Sequence, residues 1–323
     1  MDNLISELTM RSLGSINFII KTKAIHELED QISSWNSAST CGAIIYGRAR
    51  IGKTRAMMST SASIKEKYGE DFPVIAWDIT DHAVTEKNFY MTLLMAIGLK
   101  NISPRSTALE LKARVLNELT MAAYATQFKK IVLMIDEAGK LDEKDFFWLM
   151  DLYNNLNHED ICLTVFLFGT KELKDIKKLF KKRGQDQIVG RFMINEFQFY
   201  GMKDMKELKL CLMALDNKTI ESLDDEEKTL LKDYYFPDSD GKKFSSLAPA
   251  YWEAFMQVRN TNNIVAKDIP MKYFIDSFIL LLQKYGAFSK DKVAFPTYEE
   301  LLFCVKKSGY GESDDEYTKS KCS

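Results

Sequence analysis

The sequence predicts an α/β fold: a parallel sheet flanked by helices, followed by a smaller, mostly helical subdomain. Three observations carry that prediction. Short apolar runs, of the length expected for strands buried on both faces, alternate with stretches at helical period as far as Phe197. The first of those runs ends at Gly47, and a helix-compatible segment follows soon after. Beyond Phe197 the strand-like runs stop and helical periodicity dominates.

Taken in order, residues 1–21 read as an irregular lead-in, after which Ile25, Leu28, Ile32 and Trp35 share one face of an amphipathic helix. Cys41–Tyr46 suits a doubly buried strand, and Thr54–Tyr68 follows as a helix free of breakers. Val74–Trp77 is a second strand, and Thr85–Ile97 reads as a helix stopped by Gly98. After a break at Pro104, Thr107-Ala108-Leu109-Glu110 has the form of a capping box and opens a helix expected to reach about Phe128. Ile131–Ile135 is a third strand, Glu143–Asn157 a helix, Leu163–Phe168 a fourth strand and Phe192–Phe197 a last one. Helical period then runs through Leu210, Leu223–Lys232, Ala250–Val258 and Lys272–Tyr285, with Pro237–Lys243 a polar turn. The expected organisation is an α/β core over 22–197, a helical subdomain over 198–310 and a polar, disordered tail over 311–323.

Bulk composition narrows the function classes. With 323 residues, 46% of them hydrophobic, the chain has enough material for a sizeable core. Its formal net charge of −2 means that any nucleic-acid binding has to come from a local basic patch. Cys41, Cys162, Cys211, Cys304 and Cys322 form no C-x-x-C pair and only three histidines accompany them, which argues against a zinc site or a disulfide framework. Met1–Leu13 lacks the apolar core of a signal peptide, and Tyr273–Leu282, interrupted by Asp276, is too short to cross a bilayer. A soluble, intracellular protein with no membrane partner is expected.

Chemistry concentrates at the strand ends. Gly47-Arg48-Ala49-Arg50-Ile51-Gly52-Lys53-Thr54 satisfies G-x-x-x-x-G-K-[ST], with an apolar strand before it and a helix after it. The glycines let backbone N–H groups converge on a phosphate, and the helix start adds its positive dipole end. The expected cofactor is ATP with Mg²⁺, bound by the stretch Gly47 through Arg55: Lys53 on the β- and γ-phosphates, the Thr54 hydroxyl on the metal. The third strand delivers Asp136 and Glu137 to its carboxyl end, where ligands bind in open α/β sheets. Asp136 is expected to hold Mg²⁺ and Glu137 to polarise the attacking water, which favours a hydrolase over a small-molecule kinase. Two further candidates are Thr170, which ends the fourth strand, and Arg191, placed to act on a neighbouring subunit's nucleotide; Arg183 is a weaker candidate for that role. The plain alternatives are a turn threonine and a surface ion pair.

Together these residues resemble an AAA+ ATPase, and within that superfamily they look most like the TnsC/TniB transposition regulators. The resemblance rests on Gly47–Thr54, on Ile135-Asp136-Glu137-Ala138, on Leu167-Phe168-Gly169-Thr170-Lys171-Glu172-Leu173 and on the Arg191-Phe192 pair, and covers residues 22–200. It implies a P-loop NTPase core with a helical lid, and an ATP-dependent homo-oligomer, ring or helical filament, on double-stranded DNA in a prokaryotic cytosol. It also implies partners: transposase subunits and a target-selecting protein or RNA-guided complex. The chain departs from the pattern at the lid's sensor arginine, where Arg259 comes early and Lys267 is the possible substitute.

Two basic patches are candidates for DNA. Lys174, Lys177, Lys178, Lys181 and Lys182 fall on one face of a helix, opposite Leu173, Ile176 and Phe180. Lys100, Arg105, Lys112 and Arg114 lie around the insertion ahead of the Asp136 strand. The DNA contacts expected first are Lys100, Arg105, Lys112, Lys174, Lys178 and Lys182, all to phosphates; solvated helix faces are the alternative. Phe146, Phe147 and Trp148 are expected to pack in the core and not to stack on bases. Competing functions are a replication-type initiator or helicase loader, and a nucleotide-switched signalling NTPase that never touches DNA.

Overall fold

The computed structural model describes residues 19–81, 83–221 and 228–313. Most of the lead-in, the start of the Leu223–Lys232 segment, the greater part of the polar tail and Cys322 lie outside the described residues. The described residues divide into two compact units, one from residues 24–49 and 53–199, the other from those after 199 together with Arg50–Gly52 and those up to Lys23.

The first unit follows the alternation read from the sequence: α1 (Lys23–Ser37), β1 (Gly42–Tyr46), α2 (Lys53–Tyr68), β2 (Val74–Asp78) and α3 (Glu86–Ile97). Then come α4 (Ala108–Tyr124), β3 (Lys130–Asp136), α5 (Glu143–His158), β4 (Cys162–Gly169), α6 (Glu172–Lys182) and β5 (Asn195–Gln198). The five strands form one parallel sheet in the order β2-β3-β4-β1-β5. Every residue of β1 is buried, as the run of apolar residues requires of a central strand covered on both faces. Ile44, Leu133 and Leu167 look to one side, into a core shared with Leu93 of α3, Val115 of α4 and Leu149 of α5. On the other side Trp35 of α1 stacks on Phe166 with ring centroids 6.1 Å apart.

Helix ends follow local chemistry. Thr85 caps α3 by accepting the Asn88 N–H, and Gly98 closes it in the left-handed region at φ 105°. Thr107 and Glu110 form the reciprocal capping box, as do Asp142 and Asp145 at α5. Helix α4 stops at Tyr124, short of the expected Phe128, because Phe128 leaves the helix to pack on Tyr68 (5.3 Å) and Phe72 (5.9 Å). The last strand also differs from its apolar run. Val189–Met193 winds into a π-helical turn that buries Val189, Phe192 and Met193, and pairing with β1 begins only at Asn195. Phe146 is buried against Phe180 and Trp148 packs on Phe89, whereas Phe147 is 45% exposed.

The second unit is mostly helical: α7 (Met205–Asp216), α8 (Leu231–Tyr235), α9 (Ala248–Thr261), α10 (Met271–Tyr285) and α11 (Tyr298–Lys307). Its core is aromatic, with Phe236, Phe244, Phe255, Phe274 and Tyr310 buried around Tyr251, whose hydroxyl pairs with Ser277 Oγ at 2.7 Å. The unit corrects the sequence reading in one place. Strand-like pairing does not stop at Phe197, because β6 (Thr219–Glu221) and β7 (Lys228–Leu230) form an antiparallel pair where Leu223–Lys232 reads as helical. Leu230 and Leu231 supply apolar residues to either pattern, and only the cross-strand partner Thr219 distinguishes them. Among the described residues no helix is long and apolar enough to cross a membrane. Arg259 is tied within this unit, its Nε donating to the Tyr310 hydroxyl at 3.1 Å, and Lys267 is exposed.

Candidate nucleotide site

The loop Gly47–Gly52 joins the carboxyl end of β1 to the start of α2, and the sheet order places β4 between β1 and β3. Two of its residues have left-handed backbone, Arg50 at φ 64° and Gly52 at φ 103°. That is the alternation of backbone angles from which N–H groups turn inward to form an anion-binding nest. Gly52 is suited to it; Arg50 adopts it at some conformational cost. Gly47 N–H donates to the Gly169 carbonyl at 3.2 Å, so the start of the loop is pinned to the end of β4.

Lys53 is nearly buried at 7% exposure, and its ammonium donates to the carbonyls of Arg48 (2.8 Å) and Gly47 (3.3 Å). Burial lowers its pKa below the usual lysine value, while the carboxylates of Glu137 and Asp136 pull the other way. The Thr54 hydroxyl donates to Asp136 Oδ2 at 2.5 Å, joining residues 82 positions apart. The second carboxylate oxygen, Oδ1, accepts the Glu137 N–H at 2.9 Å. Glu137 itself sits at φ 52°, so the chain turns sharply as it leaves β3.

This donor set fits a hard divalent cation only in part by itself: one hydroxyl and one carboxylate, both oxygen ligands. Among the described residues no group of three or more His, Cys, Asp or Glu stands ready to hold a metal. A magnesium ion held by Thr54 and Asp136 would therefore complete its shell with phosphate oxygens and water, as Mg²⁺ sites in nucleotide enzymes do.

The other candidates divide. Thr170 lies at the end of β4, next to the loop's anchor at Gly169, and its hydroxyl accepts the Glu172 N–H at 3.4 Å at the start of α6. Arg55 turns toward Met58 Sδ at 3.8 Å. Arg191 is not brought to the loop. Its guanidinium lies 5.1 Å from the Tyr153 ring centroid and contacts Met150 Sδ, while Tyr153 in turn bonds Cys41 Sγ at 3.1 Å. Arg183 pairs with Glu143 at 2.5 Å.

The basic stripe on α6 splits in two. Lys174 and Lys177 turn inward onto Glu196 of β5, at 3.4 and 2.5 Å, whereas Lys178, paired with Asp175 at 2.9 Å, and Lys181 and Lys182 face solvent. Helical spacing shows a shared face but not the acidic strand beside it. In the other patch Lys112 is ion-paired with Asp151, Arg114 donates to the Asn101 carbonyl at 3.4 Å, and Lys100 and Arg105 are exposed. Sequence reasoning did not single out Tyr46, whose hydroxyl accepts from Lys174 Nζ at 3.3 Å, or a cavity of about 190 Å³ at the carboxyl end of β2, walled partly by Trp77, Phe89 and Asp81.

Residues 39–177 match the family model described as AAA domain. That stretch, from just before β1 into α6, is similar to an AAA domain. With the sheet order and the phosphate loop, the chain has the P-loop AAA+ fold, with a helical part after it. Similar solved structures include the ORC2 protein of Aeropyrum pernix in its ADP form, at 14% identity and a TM-score of 0.50, over 93% of this chain and 73% of that one. The same protein in ADPNP-ADP complexes scores 0.49 at 13% identity, over 92% and 71% of the two chains. Cdc6p of Pyrobaculum aerophilum is 13% identical over 95% of this chain and 84% of that one, at a TM-score of 0.44. No curated protein matches the sequence.

Proposed function

We propose that the protein is a Mg²⁺-dependent ATPase that oligomerises on double-stranded DNA and regulates transposition, linking target-site selection to a transposase. The observation that carries the ATPase reading is the Thr54–Asp136 hydrogen bond, which brings the loop hydroxyl and the strand-end carboxylate to one point beside Lys53. Lys53, freed from the Arg48 and Gly47 carbonyls, neutralises phosphate charge; Thr54 and Asp136 hold the metal; Glu137 orients water. Thr54 and Asp136 would hold Mg²⁺, which would supply positive charge against the phosphates. Arg191 acts across a subunit interface, and its release from Tyr153 accompanies assembly. Lys100, Arg105 and Lys182, all exposed, are the first choices for phosphate contacts, with Lys112 and Lys178 secondary because each has a carboxylate partner. The protein works in the prokaryotic cytosol, hydrolysis serving as a timer that loosens the assembly.

A replication-initiator role is the second reading, favoured by the fold likeness to ORC2 of Aeropyrum pernix. Negative-stain electron microscopy of the purified chain with duplex DNA, with and without ATP, tests the main proposal. Rings or filaments are expected only with DNA, ATP and an intact loop; Lys53→Ala abolishes them and Glu137→Gln traps them. Oligomers that form equally well without DNA would move the assignment to a signalling switch. Normal ATP hydrolysis by Glu137→Gln would remove that residue from its role.

A further inference from the structure

We infer that Lys174 and Tyr46 form a strut that sets the phosphate loop, which makes Lys174 a positioning residue for nucleotide and not a DNA contact. The inference rests on the nucleotide-binding reading and adds a residue outside the loop motif to it.

Tyr46 is the last residue of β1, and the loop begins at the next position. Its backbone is held on both sides, since its carbonyl accepts the Phe199 N–H at 2.8 Å and Gly47 N–H reaches the Gly169 carbonyl at 3.2 Å. Its side chain is only 7% exposed, and its hydroxyl donates to Gln198 Oε1 at a long 3.5 Å. Lys174 closes the arrangement from α6. The ammonium donates to the Tyr46 hydroxyl at 3.3 Å, lies 4.9 Å from the ring centroid and is 3.4 Å from Glu196 Oε2. Here the charge is directed at an aromatic ring and a carboxylate, and these contacts raise the ammonium's pKa, the Tyr46 hydrogen bond foremost.

Mechanically, α6 starts two residues after Thr170 closes β4, so a contact from α6 to Tyr46 ties together the two strand ends that carry Thr170 and the loop. Phosphate-binding N–H groups have to be placed within a fraction of an ångström, and such placement depends on the side chains behind them being locked. The strut supplies that support from one exposed helix.

The test uses full-length Lys174→Met, Lys174→Arg and Tyr46→Phe, titrated with the fluorescent nucleotide mant-ADP, while thermal unfolding of each preparation is followed without nucleotide. Lys174→Met is expected to weaken binding about three- to tenfold with only a small change in unfolding temperature, since Lys177 keeps Glu196 paired. Lys174→Arg, which keeps the charge over the ring, recovers most of the loss, and Tyr46→Phe, which keeps the ring without the hydroxyl, falls between. Wild-type affinity in Lys174→Met overturns the strut. So does an equal loss in the Met and Arg variants, or a loss that tracks a lowered unfolding temperature. Wild type and Lys53→Ala are measured alongside: if wild type shows no saturable binding, the nucleotide reading itself falls and takes the strut with it.

Discussion

Gly42 opens β1 where two pieces of backbone pass too close for a side chain. A Cβ there would lie 2.8 Å from the Val165 carbonyl oxygen and 2.9 Å from Phe192 Cα. Both are main-chain atoms, which do not swing aside as a side-chain tip does. Gly42→Ala should therefore destabilise the protein by about 1–3 kcal/mol, the usual cost of overpacking, as read from urea denaturation. Full stability in that variant would show that the π-helical turn yields, and with it the backbone that carries Arg191. Lys53 illustrates a second residue-level balance. Its burial disfavours the charge its proposed role needs, and Glu137 and Asp136 oppose that penalty from the carboxyl end of β3.

Among the elements, α5 and α6 are held by different forces. Phe146 of α5 is fully buried, with its ring edge-on to Phe180 of α6 at 5.2 Å. Phe146→Ala should cost about 3–5 kcal/mol in chemical denaturation, mostly from the cavity it leaves. A cost below about 1 kcal/mol would mean that the site collapses around the truncation. The pairing of α6 with β5 is instead electrostatic. Burial pushes the Glu196 pKa up, but the Lys177 hydrogen bond and charge, with Lys174 behind them, outweigh it and leave it below the ordinary 4.5. A carboxylate depressed in the folded state contributes stability that is present above the unfolded value and lost as pH falls through the folded one. Glu196→Gln should thus lower the unfolding temperature at pH 7 and converge with wild type in acid below that window. Parallel pH–stability curves for the two proteins would rule the pairing out as a contributor.

For the molecule as a whole, a net charge of −2 leaves no general attraction for DNA, so the proposed binding has to be local and steeply dependent on salt. Each phosphate contact contributes about 0.9 to the slope of log affinity against log salt. Replacing Lys100, Arg105 and Lys182 together by alanine should flatten that slope, followed by fluorescence anisotropy of a labelled duplex across a KCl series. Lys174→Ala should leave it unchanged, since that ammonium is already directed at Glu196 and Tyr46. A flatter slope in Lys174→Ala would return that lysine to the DNA surface.

The sequence alone determined what depends on order along the chain. Apolar runs and breakers located β1 to β4 and their helices, and the glycine-lysine spacing located the phosphate loop, because those patterns reflect local burial and backbone freedom. The Thr297–Glu300 pair that caps α11 has the same legible form, although that helix is not among those read from the pattern. Tertiary structure decided the contacts between residues far apart in sequence. It brought Thr54 to Asp136 across 82 positions and split one lysine face between Glu196 and solvent. It left Arg191 resting on Tyr153 and made Leu230 part of a strand. Periodicity records whether a side chain is buried, but not which neighbour the fold brings to meet it.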